Sequence, residues 1–195
     1  MKMNISKYAQ PIQESCKNFI DENLDDIYKH LTTEENKVKL NDFSKNDIDE
    51  VLADEKSWGI YAFFITPVEG QNFTYGQLEE HWKKMKEDKK TGEIPKTIKG
   101  RFEGKERDSI KSPTCLYLGK SEELGKRIRQ HIHSSVKGTY ALKISKHTKL
   151  HKIFTFKYSY VQIEPNGDFK DGMQCLLLTL EKRLREQLKP LIGKQ

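Results

Sequence analysis

WGIYAFFI, residues 58–65, is a nearly continuous apolar run that Thr66 and Pro67 terminate. Its length and its aromatic and β-branched residues predict a strand that is buried on both faces. A second run of the same kind, TCLYLG, occupies residues 114–119. Together the two runs predict neighbouring strands of one sheet, separated along the chain by the segment 66–113.

The second run is followed by a helical pattern. Ser121 is a good N-cap residue, and Leu124, Ile128 and Ile132 form an apolar stripe at helical spacing. Weak alternation predicts a third strand over 152–163, a short helix is expected within 139–150, and the last helix is expected over 172–189. The pattern indicates an α/β domain, since strands and helices are mixed along it.

The segment 1–56 differs in composition from the rest of the chain. It carries 8 Lys+Arg and 13 Asp+Glu, whereas residues 57–195 carry 27 and 16. Helical spacing is evident over 18–31, and Ser44 is a candidate cap for a second helix. We therefore expect an acidic helical N-terminal extension, 1–56, which serves as a packing element before a basic domain, 57–195.

The segment 66–113 reads as an insertion between the first two strands. A helix is predicted from Gly76 to about Lys90, and the stretch from His81 to Lys111 holds 11 Lys+Arg against 6 Asp+Glu. Two interpretations are open: this basic insertion helps to bind and select a partner, or it is a surface loop without such a role.

Composition limits the class of protein. A net charge of +6 indicates either a polyanionic partner or ordinary lysine-rich solubility. No apolar run approaches the roughly 20 residues that a membrane span requires, and residues 1–13 lack a secretory h-region, so we expect a cytoplasmic protein without membrane contact. Cys16, Cys115 and Cys175 are widely spaced and odd in number, which favours free thiols over a zinc site or disulfides.

Arg127 and His131 are candidate site residues because they stand one turn apart on the same helix face, at the edge of its apolar stripe. An arginine in such a place can offer its planar fork to a phosphate. The alternative is that Arg127 pairs with Glu123 one turn back, and that His131 is a partly buried spacer.

Glu181 is a third candidate. On a helical wheel it falls about 60° from the centre of the last helix's apolar face, where a carboxylate is costly unless it is paired or holds a cation. The alternative is an i,i+4 pair with Arg185. Tyr61 and Tyr117 lie in the two most apolar strands, where core packing is the ordinary fate of a tyrosine.

Taken together, these residues form a known pattern. Gly59-Ile60-Tyr61 is followed by Tyr117-Leu118-Gly119, and Arg127 and His131 follow Tyr117 by ten and fourteen residues. Glu181 precedes Pro190 by nine. In these features residues 58–65 and 114–193 resemble the GIY-YIG nuclease superfamily. The chain departs from the family in having Gly193 where an asparagine is usual, and in its long segment between the first two strands.

The resemblance implies a fold and an activity. The fold is an α+β sandwich in which helices flank a small antiparallel sheet of three strands. The activity is metal-dependent endonucleolytic hydrolysis of DNA, leaving 5′-phosphate and 3′-hydroxyl ends, in restriction, defence or repair. Glu181 would hold Mg²⁺, with Mn²⁺ as a substitute. Arg127 would grip the phosphate, and Tyr61 would orient or deprotonate the attacking water.

The remaining expectations concern substrate. Tyr117 and His131 would position water and phosphate, and double-stranded DNA is the expected partner. The residues expected to contact it are Gly119, Lys120, Lys126 and Arg129. Two alternatives stay open: a nucleic-acid-binding module that has lost turnover, which Gly193 favours, and a protein-interaction domain. The oligomeric state stays open as well.

Overall fold

The computed structural model of the chain describes residues 6–40, 57–88, 93–111, 113–133, 139–164 and 172–193. The strands are β1 (Val38–Leu40), β2 (Gly59–Pro67), β3 (Thr114–Ser121) and β4 (Phe154–Gln162). The α-helices are α1 (Ser6–Thr32), α2 (Tyr75–Glu87), α3 (Lys99–Phe102), α4 (Leu124–His133), α5 (Thr148–His151) and α6 (Met173–Leu188). None of the helices in these ranges is long and apolar enough to cross a membrane.

The mixed α/β prediction is confirmed, with one correction. The described strands form one antiparallel sheet of four, in the order β1-β4-β2-β3, whereas three strands were predicted. The additional strand is β1, whose Val38 pairs with Tyr158. Three residues inside the acidic N-terminal extension are too few to show the apolar–polar alternation of a strand, so only the pairing with β4 reveals this strand.

Strand β2 lies at the centre of the sheet and divides the core into two layers. Successive side chains of a strand point to opposite faces. Tyr61, Phe63 and Ile65 therefore enter one layer, together with buried residues of α4 and of the insertion. Ile60, Ala62 and Phe64 enter the other layer, which α1 and α6 cover. Burial on both faces explains why the sequence of β2 is continuously apolar.

Helix α1 is part of the second layer. It buries Cys16, Ile20, Ile27 and Leu31 at helical spacing, and the hydroxyl of Ser159 donates to the carbonyl of Leu31 at 2.7 Å. The N-terminal extension thus contributes both a helix and a strand to the core. The second helix predicted after Ser44 lies outside the described residues.

The insertion also contributes to the core. Helix α2 begins with a capping box between Thr74 and Gln77, and it buries Leu78 and Trp82. The indole N–H of Trp82 donates to the carbonyl of Pro95 at 2.7 Å. Since it buries large side chains against the layer that holds Tyr61, the segment is more than a surface loop.

Local boundaries differ slightly from the sequence patterns. The hydroxyl of Ser121 accepts from the Glu123 amide at 3.0 Å, and α4 begins at Leu124. The short helix expected within 139–150 is a 3₁₀ turn over Ile144–Lys146 followed by α5. Cys16, Cys115 and Cys175 are free thiols, as predicted.

Candidate active site

Two tyrosines from neighbouring strands form the floor of the candidate site. The rings of Tyr61 and Tyr117 stack with their centroids 6.2 Å apart and their planes 28° apart. Tyr61 stands opposite Gly119 in the β2–β3 register. Tyr61 is only 1% exposed, whereas Tyr117 is half-buried, so Tyr117 is the more accessible of the two.

His131 packs between these rings and the loop after α4. Its ring centroid lies 4.7 Å from that of Tyr117, and its Nδ1 accepts from the Leu142 amide at 3.0 Å. Burial, and then the charge of Arg127, lower the pKa of His131 well below its usual value. The ring is therefore neutral with its proton on Nε2, and this N–H donates to the hydroxyl oxygen of Tyr61 at 2.9 Å.

Arg127 stands one turn before His131. Its Nη1 donates to the side-chain oxygen of Gln130 at 2.8 Å, and its Nη2 to the carbonyl of Tyr140 at 2.6 Å. Glu123, the alternative partner considered from the sequence, forms its ion pair with Lys126 instead. These contacts hold the guanidinium at the site.

The pKa values of the tyrosines place Arg127 beside both hydroxyls. Burial raises the pKa of Tyr61 well above 10, while the charge of Arg127 opposes this shift. Burial also raises the pKa of Tyr117, again against the effect of Arg127. Burial is the larger influence in both cases, so both tyrosines are protonated at neutral pH. A catalytic base would need a lowered pKa, whereas this environment raises the pKa of both tyrosines.

Glu181 lies on α6. Burial is the main cause of the raised pKa of Tyr117, and the carboxylate charge of Glu181 adds to it. Its Oε1 also accepts from Arg185 Nη2 at 2.5 Å. The pair with Arg185, which was the alternative considered from the sequence, is therefore present, and the metal-binding role of Glu181 stays a prediction.

The segment after α6 closes this side of the site. Ile192 forms a parallel bridge with Tyr117 and an antiparallel bridge with Thr97 of the insertion. A Cβ atom placed on Gly193 would lie 2.9 Å from Arg185 Nη1. The guanidinium of Arg185 thus fills the space into which a side chain at position 193 would project. The sequence pattern offered Arg185 only as an ion-pair partner and gave no sign of this second contact.

The residues expected to bind substrate are distributed unevenly. Gly119 lies in the site, and Lys120 follows it on β3, opposite Ile60. Lys126 forms an exposed ion pair with Glu123. Arg129 is two residues from both Arg127 and His131, which places it about 200° around the helix from each. The structure therefore brings Gly119 to the cluster but keeps Lys126 and Arg129 off the face that carries Arg127.

A cleft of about 290 Å³ lies beside Tyr140, whose carbonyl accepts from Arg127. Its walls come from the insertion, including Lys86, Glu93 and Lys96, and from Tyr140 on the loop after α4. Tyr140 is 54% exposed, yet Arg127 holds its carbonyl in place. Sequence reasoning missed Tyr140, because an isolated tyrosine in an irregular loop has no periodic signal.

The donor set suits one kind of metal. The described ranges contain no group of three or more His, Cys, Asp or Glu residues that could hold an ion. Mg²⁺ commonly takes one or two carboxylates, with water and substrate phosphate completing its shell. Glu181 offers a single carboxylate, which matches that mode of binding and does not match a zinc site, and Arg185 competes for its Oε1.

Comparisons of the chain with protein-family models, with curated proteins and with solved structures find no match.

Proposed function

We propose that this protein is a magnesium-dependent endonuclease that hydrolyses DNA phosphodiester bonds. The observation that carries the proposal is the surroundings of the Tyr117 hydroxyl. A guanidinium, Arg127, and a carboxylate, Glu181, both act on its pKa, and they come from helices on opposite faces of the sheet. Strand packing alone does not require this combination of charges at one tyrosine.

Phosphodiester hydrolysis requires groups of this kind. Negative charge gathers on the phosphoryl oxygens in the transition state, and a fixed guanidinium stabilises it most when it is already oriented. The bonds from Arg127 to Gln130 and Tyr140 supply that orientation. We assign to Arg127 the grip on a non-bridging oxygen of the scissile phosphate.

The two tyrosines have different roles in this proposal. Tyr117, half-buried and protonated, donates a hydrogen bond that positions the attacking water or the phosphate. Tyr61 is too enclosed to meet the water directly and acts as support for Tyr117 through ring stacking. This assignment keeps for Tyr117 the positioning role that the resemblance implied, and it replaces the implied role of Tyr61 at the attacking water with a supporting one.

Glu181 would hold Mg²⁺ in the cluster. When bound, the metal supplies charge that polarises the phosphate and stabilises the leaving 3′-oxygen. Arg185 fixes the orientation of this carboxylate by its bond to Oε1. Products would carry 5′-phosphate and 3′-hydroxyl ends.

Substrate binding is assigned to the basic part of the chain. Residues 57–195 carry an excess of 11 positive charges, which favours sequence-independent, salt-sensitive contact with DNA phosphates. We assign this contact to the cleft beside Tyr140, whose carbonyl accepts from Arg127. We place the DNA along this cleft, beside Arg127.

The test is cleavage of supercoiled plasmid with Mg²⁺, with EDTA as the metal-free arm. We expect nicking by the wild type, none above background with Glu181→Gln or Arg127→Lys, and normal nicking with the matched variants Glu186→Gln and Arg183→Lys, which change exposed residues of α6. Cleavage by Glu181→Gln at the normal rate would refute the assignment of the metal ligand.

A second candidate is a DNA-binding module without turnover. The ion pair between Glu181 and Arg185 favours it, because a carboxylate neutralised by arginine binds metal less readily. Salt-sensitive retention of plasmid fragments, without cleavage in Mg²⁺ or Mn²⁺ over a range of pH, would support this candidate over the nuclease.

A further inference from the structure

A continuous series of hydrogen bonds joins the insertion to Tyr61. His81 Nε2 on α2 lies 3.2 Å from His147 Nδ1, and His147 Nε2 lies 2.9 Å from the Leu142 carbonyl. The Leu142 amide donates to His131 Nδ1 at 3.0 Å, and His131 Nε2 lies 2.9 Å from the Tyr61 hydroxyl. Both imidazoles, His147 and His131, thus hold the backbone of one residue.

The backbone groups of Leu142 determine the direction of these bonds. A carbonyl can only accept, so His147 carries its proton on Nε2. Burial lowers the pKa of His147 to about 3, so its ring is neutral and its Nδ1 accepts from His81. An amide can only donate, so His131 is unprotonated on Nδ1. Every donor in the series therefore points from the insertion toward Tyr61.

The loop that carries Leu142 has an unfavourable backbone conformation, which the hydrogen bond from His147 helps to hold. Lys143, the next residue, is in the left-handed region with a φ of 54°, which a non-glycine residue rarely adopts. The indole of Trp82 stacks on His147 with centroids 4.6 Å apart and an interplanar angle of 18°. The insertion thus packs against His147, which binds the Leu142 carbonyl of the loop. The amide of the same residue binds His131.

We propose that His147, held by His81 and Trp82 of the insertion, is a positioning residue. It fixes Leu142, so that the Leu142 amide keeps His131 in the Nε2–H tautomer. In this tautomer the Tyr61 oxygen accepts a hydrogen bond from His131. The insertion is then part of the machinery that orients the tyrosine pair. The consequence for cleavage rests on the proposed nuclease function, whereas the tautomer of His131 does not.

Substitutions at position 147 separate the bonds. His147→Phe keeps a ring for Trp82 but removes both hydrogen bonds. Glutamine places an amide N–H near the site of Nε2 and can still donate to Leu142, whereas asparagine reaches only as far as the site of Nδ1. His151→Phe is the matched control, because His151 donates to the Ile144 carbonyl at 2.7 Å on the same segment but lies outside the series.

The primary measurement is the imidazole ¹⁵N NMR spectrum of His131 in protein labelled at histidine, assigned with His131→Gln. We expect the Nε2–H tautomer in the wild type, in His147→Gln and in His151→Phe, and a mixture of tautomers in His147→Phe and His147→Asn. An unchanged His131 spectrum in a folded His147→Phe protein would overturn the proposal. If that variant does not fold, identical His131 spectra in the glutamine and asparagine variants would overturn it.

Cleavage gives a second readout. The kcat of His147→Phe and His147→Asn should fall on the order of 10-fold, with KM and the His147→Gln rate close to wild type, as for other residues that orient a site residue indirectly. If the protein shows no cleavage but gives the expected spectra, the proposed nuclease function is refuted, and the coupling between His147 and the His131 tautomer stands. Unchanged spectra in an active enzyme would refute only the coupling.

Discussion

Gly119 lies directly against the hydroxyl of Tyr61. A Cβ atom placed on Gly119 would stand 2.5 Å from Tyr61 Oη and 2.8 Å from Tyr117 Cε1. Both distances are far inside van der Waals contact, so any other residue at this position must displace the two rings. The glycine of the second motif is therefore needed for the close approach of two side chains.

Gly119→Ala should abolish most of the activity. Displacing the rings moves Tyr117 relative to Arg127, and a shift of about 1 Å in a catalytic group can cost on the order of 10²-fold in rate. Plasmid nicking measures the loss. The comparison variant is Gly100→Ala, where the added methyl group meets no atom within 4 Å. Equal loss in both variants would argue against the role of Gly119.

The buried histidines should make the protein less stable in mild acid. The pKa of His147 falls from 6.5 to about 3 on folding, so below pH 6.5 the unfolded chain binds a proton that the folded chain excludes. The free energy of unfolding then decreases as pH falls, by about 1.4 kcal/mol per pH unit for each such histidine. His131 acts in the same direction.

Urea unfolding at pH 7.5 and 5.0 measures this effect. His147→Gln should lose about 2 kcal/mol less than the wild type over this interval, because it removes one of the protonations that are linked to unfolding. His30→Gln changes an exposed histidine and should follow the wild type. A His147→Gln protein with the wild-type pH dependence would contradict the argument.

Arg185→Gln should lower the Mg²⁺ concentration needed for half-maximal cleavage. The guanidinium donates to Glu181 Oε1 at 2.5 Å and so competes with the metal for this carboxylate. An i,i+4 pair of this kind is worth about 0.5–1 kcal/mol, which corresponds to a change of roughly two- to fivefold. Lys182→Gln removes the same charge from an exposed neighbour on α6 and serves as the control. A higher Mg²⁺ requirement in Arg185→Gln would show that orientation of the carboxylate outweighs the competition.

Tyr140→Ala should raise KM for DNA and leave kcat nearly unchanged. The ring is 54% exposed beside the cleft next to Arg127, where it can stack on a base. Loss of one stacked base costs about 1 kcal/mol or more, so we expect KM to rise at least about fivefold. Tyr140→Phe keeps the stacking ring and should behave like the wild type. Leu178→Ala, which truncates an exposed residue of α6, should also have no effect on KM.

The sequence was informative where physical periodicity or a fixed spacing was present. The apolar runs predicted β2 and β3, and helical spacing placed Arg127 and His131 on one face of α4. Glu181 was recognised at the margin of an apolar helix face, and the structure shows that it pairs with Arg185, the alternative that its spacing also offered.

Other features depend on contacts between distant segments. Strand β1 is recognisable only through its pairing with β4, and the contact between Gly193 and Arg185 only in three dimensions. His81 and His147 are 66 residues apart, so no local pattern could link them. Tyr61 was expected to meet water, but its burial depends on packing by both strands and by His131.

Strand β3 ends the strand order β1-β4-β2-β3, and the two hydrophobic layers lie on opposite faces of this sheet. Arg127 and His131 belong to the layer of α4, whereas Glu181 is carried by a helix of the other layer. Loosening of either layer would separate the carboxylate from the guanidinium while the central strands remained paired. On warming, catalysis should accordingly fail several degrees before the sheet melts, and heat inactivation would report the docking of α6 rather than global unfolding.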